Sequence, residues 1–391
     1  MMKYKINHNY LQMNNKKRNL ILMAAVLLLS GFSEIKRNAN SKNNYKEEMK
    51  SLHTAIESNF HDSVSGYYFV DLDPAKRETK FGHKREYSWL WALCAMFEAT
   101  NEIEKVDKKA HLVDDIVTSI QPYYDPAPPK PGYGEYIVKL SQGQRYYDDN
   151  QWIGITALDI YERNGKKAYF DLGKSMYDFM MTASDTKLGG GLYWRENDFE
   201  TKNTCSNGPG IIVALKMYKA TKEKIYLDNA LKIYNWTNEK LQTPTGLFYD
   251  NIKVKDGSIG TTIYSYNTGT MLQSNVYLYE ITGDKKYLKK AIEIADSSLL
   301  YFYGGNKFRD GYWFNAVLLR GYQHLLKHNK DLKYISGFKK CLDNTLKEDK
   351  NEKGLFVSQD GVYNLVEHGG MLEILARFAY LQDQYNLDRQ K

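Results

Sequence analysis

The sequence predicts an all-α fold in which a ring of inner helices is wrapped by an outer ring. Three observations predict it. Roughly twelve helical stretches follow one another from Ser41 onward. They alternate between strongly apolar and amphipathic. The longer connections precede the apolar members and repeatedly carry a Gly–aromatic pair: Gly66-Tyr67-Tyr68, Gly191-Leu192-Tyr193-Trp194, Gly246-Leu247-Phe248-Tyr249 and Gly354-Leu355-Phe356. These pairs recur roughly every 50–70 residues, the length of two helices with their loops. A helix apolar on all sides must be buried, whereas one with a single apolar face lies outside it. The inner helices then start on the face that holds the long loops. An open helical solenoid is the competing arrangement.

Taken in order, 43–59 is amphipathic through Met49, Leu52 and Ile56, and the turn-rich 62–73 follows. Apolar spacing marks 86–99 as inner; 108–121 is more polar, and 123–136 is a long Pro- and Gly-rich loop. The next pair is 148–164 (inner) and 168–182 (outer), followed by the Gly-rich loop 187–198. Then come 206–220 and 224–241, a loop or hairpin over 245–263, and 266–282 with 285–300. The last inner–outer pair is 312–328 and 332–347, and 365–385 closes the chain. No internal linker separates a second domain, so 41–391 is expected to form one catalytic domain.

Within 391 residues, the formal charge is +7, and five of the positive charges (Lys3, Lys5, Lys16, Lys17, Arg18) precede Ser33 with no acid among them. The remainder is too weakly basic to point to nucleic acid as a partner. Lys16-Lys17-Arg18 followed by the apolar run 20–29 reads as a signal peptide over 1–33, with cleavage after Ser33. A start at Met13 gives a more usual signal length. The run is short for a bilayer span, so a secreted, periplasmic or cell-envelope location is expected, with no membrane span after signal removal. The three cysteines have no zinc spacing and are expected to be mostly buried thiols, one bridge being possible. No cofactor and no metal are expected, and the chain is expected to be a monomer.

The stretch Tyr146-Tyr147-Asp148-Asp149-Asn150-Gln151-Trp152 carries the chemistry. One Asp at a helix start is a cap; two, set among aromatics, exceed that need. Carboxylate pairs and flat rings are what cleavage of a glycosidic bond uses. Adjacent residues on a helix can bring their carboxyl groups to roughly 5–6 Å, near the spacing of retaining glycosidases. Like charges so close cannot ionise equally: one becomes the acid and the other the anionic nucleophile. Which is which stays open at this level.

Residues 147–152 resemble the Asp-Asp motif of glycoside hydrolase family 76, the endo-α-1,6-mannanases. Gly190-Gly191-Leu192-Tyr193-Trp194, Lys202-Asn203 with Ser206-Asn207-Gly208-Pro209, Gly246 to Asp250, and Tyr264 to Gly269 are similar to further landmarks of that family. Gln151 departs from the small residue expected before Trp152, and 123–136 matches no landmark. The resemblance implies an (α/α)6 barrel, retaining hydrolysis of α-1,6-mannosidic bonds in mannan, and no metal. It implies Asp148 as nucleophile and Asp149 as acid/base. Tyr147, Trp152, Trp194, Asn207, Asp250, Tyr266 and Asn267 are the candidate substrate contacts. Their bland alternatives are core packing for the tryptophans, a helix cap for Asn207 and a turn for Asp250.

Two other sugar enzymes suit such a barrel. A uronyl hydrolase needs a cation for the substrate carboxylate, for which Arg195 and Arg309 are the nearest candidates. An epimerase needs an inner-ring His pair, and no His adjoins Asp148. A secreted glycan-binding protein without turnover is the remaining alternative.

Overall fold

The computed structural model describes residues 43–77, 85–141, 143–305, 307–357, 361, 363–385 and 387. The signal-peptide reading of 1–33 lies outside them. Residues Tyr45–Lys391 form one compact unit. Among its described residues are twelve α-helices: α1 (Tyr45–Phe60), α2 (Leu90–Val106), α3 (Val113–Ile120), α4 (Tyr147–Asn164), α5 (Lys167–Met180), α6 (Thr204–Thr221), α7 (Lys224–Leu241), α8 (Ser265–Thr282), α9 (Lys285–Tyr303), α10 (Tyr312–Asn329), α11 (Lys333–Glu348) and α12 (Leu365–Tyr385).

The even-numbered helices form the inner ring. Each packs on the next, α2 on α4, α4 on α6, α6 on α8, α8 on α10 and α10 on α12, and α12 returns to α2. The ring is therefore closed, an (α/α)6 barrel and not a solenoid. Burial sorts the helices as the patterning implies. In α6 every residue from Thr204 to Met217 is buried, whereas α11 buries only Tyr334, Ile335, Phe338, Cys341, Leu342 and Thr345. Close approach within the ring needs small residues. A Cβ on Gly370 of α12 would lie 2.3 Å from the Trp313 backbone of α10, so only glycine fits there.

The two ends of the barrel differ because their connections differ. At one end the inner helices α2 to α10 each lead into the outer helix that follows. Four inner helices stop at a left-handed residue, Gly165 (φ 72), Lys222 (φ 64), Gly283 (φ 72) or Lys330 (φ 59), and the outer helix begins within a few residues. That conformation ends a helix and satisfies its last carbonyls. At the other end the long loops carry short strands: β1 (His61–Asp62) with β2 (Tyr67–Tyr68), β3 (Tyr124–Asp125) with β4 (Gly132–Tyr133), and a sheet of β5 (Thr201–Asn203), β6 (Tyr249–Lys253) and β7 (Ile259–Ile263). All the pairs are antiparallel.

The main boundary differences concern α2 and α3. α2 starts at Leu90 and continues to Val106, beyond the apolar run. Its polar residues Glu98, Thr100, Asn101 and Glu102 are buried, so the core extends where polarity signals an end. α3 is shorter than 108–121. Cys94, Cys205 and Cys341 are all free and buried.

Candidate active site

The inner helices point their N-termini at the long-loop end, and there a cavity of about 590 Å³ opens. Its walls come from the starts of α2 (Trp89, Trp91), α4 (Tyr146, Asp148, Asp149, Trp152), α6 (Asn203, Cys205), α8 (Tyr264, Tyr266) and α10 (Trp313, Phe314). Trp194, Thr201, Asp250, Asn251 and Glu135 complete it from the loops and the β5–β7 sheet. Among its described lining residues are four carboxylates and no Lys, Arg or His.

Asp148 and Asp149 occupy the first turn of α4, half-buried, but they are solvated differently. Asp148 Oδ2 accepts from the Trp194 indole Nε1 at 3.0 Å, and its Oδ1 accepts from the Asp149 backbone N–H at 3.1 Å. The Cys205 thiol bonds to it as well. Burial lifts its pKa to about 6, with these donors holding it down from a higher value. Among the described residues, Asp149 has no such set of donors. Burial, then the neighbouring Asp148 charge, then Glu135 push its pKa well above the usual carboxylate range. One carboxyl group is thus kept as the better anion and the other as the better proton carrier.

Local backbone pairing aims Trp194. Tyr146 and Arg195 form an antiparallel bridge, and the Tyr147 N–H donates to the Trp194 carbonyl at 3.0 Å. The Gly-rich loop behind it is held by Lys202, a buried ammonium that donates to Asp185 Oδ1 at 2.6 Å and to the carbonyls of Lys187 (2.9 Å) and Gly190 (2.5 Å). Arg145 pins the Pro-rich 123–136 loop, donating to the carbonyls of Ala127 (3.0 Å), Lys130 (3.1 Å) and Pro128 (3.2 Å) while pairing with Glu196 at 2.7 Å.

Of the residues singled out from sequence, Asp148, Asp149, Trp152, Trp194, Asp250 and Tyr266 face one cavity. Trp194 is 38% exposed at the rim, free to stack, whereas Trp152 is 1% exposed and forms the floor, edge-on to Trp313. Tyr266 stacks on Phe314 with centroids 4.1 Å apart. Three assignments need correction. Tyr147 turns away: its ring packs on Phe179 and its hydroxyl bonds Thr182 at 3.1 Å. Asn207 is fully buried and neither cap nor ligand contact. Its Oδ1 accepts from the Leu192 N–H at 2.8 Å, and its Nδ2 donates to the carbonyls of Leu192 (3.0 Å) and Asn203 (2.7 Å), which clamps the Gly-rich loop. Asn267 is buried behind Asp250, to which its Nδ2 donates at 3.4 Å. Arg195 and Arg309 stand outside the cavity lining: Arg195 bonds Gln144 and Asp198, and Arg309 donates to the Tyr301 carbonyl at 3.3 Å.

Sequence reasoning missed Trp89, Trp91, Glu135, Thr201, Asn203, Cys205, Asn251, Tyr264, Trp313 and Phe314 as site residues. For most of them the available signal is position: they sit at or just before the N-terminus of an inner helix.

A closed helical barrel with paired carboxylates in an aromatic-walled cleft is the architecture of carbohydrate-active proteins. Comparison with known proteins gives the family: residues 44–333 match glycosyl hydrolase family 76, and the chain belongs to it. Mannan endo-1,6-alpha-mannosidase DCW1 of Saccharomyces cerevisiae is 28% identical over 174 residues, 40% of this chain and 39% of that protein. The chain thus aligns with about two fifths of that curated relative's length. The α-mannanase BT2949 of Bacteroides thetaiotaomicron has the same fold, with a TM-score of 0.80 at 22% identity over 88% of this chain and 98% of that one. So does an inactive variant of the α-1,6-mannanase GH76A of Salegentibacter sp., in complex with α-1,6-mannotriose. There the TM-score is 0.71 at 22% identity, covering 86% of this chain and 99% of that one.

Proposed function

We propose that the chain is a retaining endo-α-1,6-mannosidase acting on the α-1,6-linked backbone of mannan, in the secreted or cell-envelope space and as a monomer. The observation that carries this reading is the unequal hydrogen bonding of the Asp148–Asp149 pair on the cleft floor. Asp148, held by the Trp194 indole N–H, is the nucleophile. It attacks the anomeric carbon while Asp149 gives its proton to the departing glycosidic oxygen, and a mannosyl ester forms on Asp148. Asp149, now anionic, takes a proton from water, and that water cleaves the ester. The sugar keeps its α configuration. Trp194 and Tyr266 offer ring faces to the sugar C–H groups, and Asp250 accepts from its hydroxyls. The family and the mannan-cleaving relatives support the substrate. An anionic cleft with no cation among its described lining residues favours a neutral sugar over a uronate.

The test is incubation of the purified chain with unbranched α-1,6-mannan, beside Asp148→Asn and Asp149→Asn, with NMR of the first-formed anomer. Short α-anomeric mannooligosaccharides are expected from the wild type, with losses of at least about 10³-fold in both variants. With an aryl mannoside, whose leaving group needs no acid, Asp149→Asn should retain the first step and Asp148→Asn should not. No product from the wild type sinks the substrate assignment; a β-anomeric first product sinks the mechanism.

A further inference from the structure

At the barrel end opposite the cleft, a second cavity of about 400 Å³ opens between the C-terminal turns of the inner helices. Glu280 of α8 and His324 of α10 line it. His328, one turn further along α10, joins them. The two His Nε2 atoms each lie 2.9 Å from the same oxygen, Glu280 Oε1. The three ligand atoms fall within 4.8 Å of one another. We infer that Glu280, His324 and His328 form a binding site for a divalent transition-metal ion of the zinc class, with water in the remaining position.

The geometry needs little adjustment. Residues four apart on a helix share a face, so both imidazoles aim across at α8. A tetrahedral zinc with bonds of about 2.0–2.1 Å places its ligands about 3.3 Å apart. The observed 2.9 Å separations need to open by only a few tenths of an ångström. The rings are already oriented by packing. Tyr277 lies against His324 with centroids 4.4 Å apart, and Tyr279 meets His328 edge-on at 5.3 Å. Two imidazoles and one carboxylate suit zinc, nickel or copper and not calcium or magnesium, which take oxygen ligands.

Both Nε2 atoms already face the carboxylate. Without an ion, each Nε2–H donates to Glu280 Oε1; with an ion, Nε2 becomes the ligand and the ring carries its proton on Nδ1. His324 Nδ1 is buried with no partner among the described residues, so this tautomer change breaks no other bond of that ring. Lys219 lies 3.8 Å from Glu280 Oε2, but it also pairs with Glu162 at 3.0 Å and keeps that partner when the ion takes Glu280. The Glu280 side chain keeps 22% of its surface exposed, which gives the ion a way in.

The test is calorimetric titration of the full chain, untagged and stripped with EDTA, with zinc chloride, together with the visible d–d bands of a Co²⁺-loaded sample. One ion per chain is expected, with tetrahedral-type Co²⁺ bands. His328→Ala and Glu280→Gln, both near the surface and checked for folding by circular dichroism, are expected to weaken binding at least about tenfold. Hydrolysis of mannan should not respond to zinc or chelator, since the cleft is at the other end of the barrel. Absence of saturable binding, or binding by His328→Ala as tight as wild type, overturns the site.

Discussion

Asp148 and Asp149 are adjacent in the chain, yet one is surrounded by donors and the other by carboxylates. Their titrations are coupled, so the observable pKa values belong to the pair. Asp148 must be anionic to attack; activity is expected to rise as pH rises through about 6. Asp149 must be protonated, so activity falls again as pH passes its higher value. A bell-shaped kcat/KM profile on mannan checks this. Trp194→Phe keeps the ring and removes the indole N–H. It should move the acid limb upward and lower kcat/KM roughly tenfold, the scale of one hydrogen bond to a charged group. A profile whose acid limb stays in place would deny Trp194 that role. The same electrostatics predict a stability effect. A raised carboxyl pKa means that the folded state holds a proton which the unfolded chain releases near 3.8. The group's contribution is therefore most favourable at low pH and is lost as pH rises through the folded value. Asp149→Asn should raise Tm, by roughly 2 °C, and more at pH 8 than at pH 5.

At the scale of elements, the catalytic geometry depends on buried Asn side chains in the first turns of inner helices. Asn150 treats Tyr133 as Asn207 treats Leu192. Its Oδ1 accepts from the Tyr133 N–H at 2.7 Å, and its Nδ2 donates to the carbonyls of Tyr133 (3.0 Å) and Tyr146 (2.7 Å). Each clamp fixes a loop to the helix beside the cleft. Asn207→Ala would leave the Leu192 amide and carbonyl buried without their partner, costing about 2–3 kcal/mol. Trp194, two residues along, would lose its aim. Urea unfolding should show the first effect and a fall in kcat/KM the second; a variant as active as wild type would remove the clamp from the argument. The helix pairs were legible in the sequence because burial on all faces and burial on one face leave different periodicities. The strands β1–β5 were not, since two or three residues each are too few to show alternation, whereas the β6–β7 pair falls within 245–263, the stretch read as a loop or hairpin. Nor were the clamps: an Asn at a helix start suits a cap, a ligand contact or a loop anchor equally. Trp313 and Phe314 looked like ordinary members of an apolar helix, and Glu135 sits in a loop with no motif. Only ring closure brings these three beside Asp149 and Trp152.

At the scale of the whole molecule, the interior between the two cavities is polar where a purely apolar core would be expected. Arg320 of α10 bonds Glu98 of α2 and lies 3.0 Å from Glu373 of α12, while Arg377 bonds Glu373 at 2.7 Å and pairs with Glu102 at 3.2 Å. Three inner helices are joined across the barrel by these groups. The Arg320 guanidinium also sits 5.4 Å from the centroid of Trp152, the residue that floors the cleft. A buried charge network contributes little over an apolar core of the same shape, but breaking one is costly because the partners stay behind. Arg320→Met would leave Glu98 and Glu373 facing each other. Burial already lifts the Glu98 pKa to about 8 against the pull of Arg320, so without Arg320 it should hold its proton more tightly still. Glu373, held below its usual value by Arg320 and Arg377 against burial, loses the first of them. The expected cost is about 3–5 kcal/mol, and its pH dependence follows from the sign. The wild-type folded state already keeps the Glu98 proton up to about pH 8, so the two proteins separate only where wild type releases it and the variant does not, and the loss grows from pH 7 to pH 9. Urea unfolding of wild type and Arg320→Met at both pH values checks this. A loss of equal size at the two would mean that the missing guanidinium acts through packing on Trp152 and not through the carboxylates it joins.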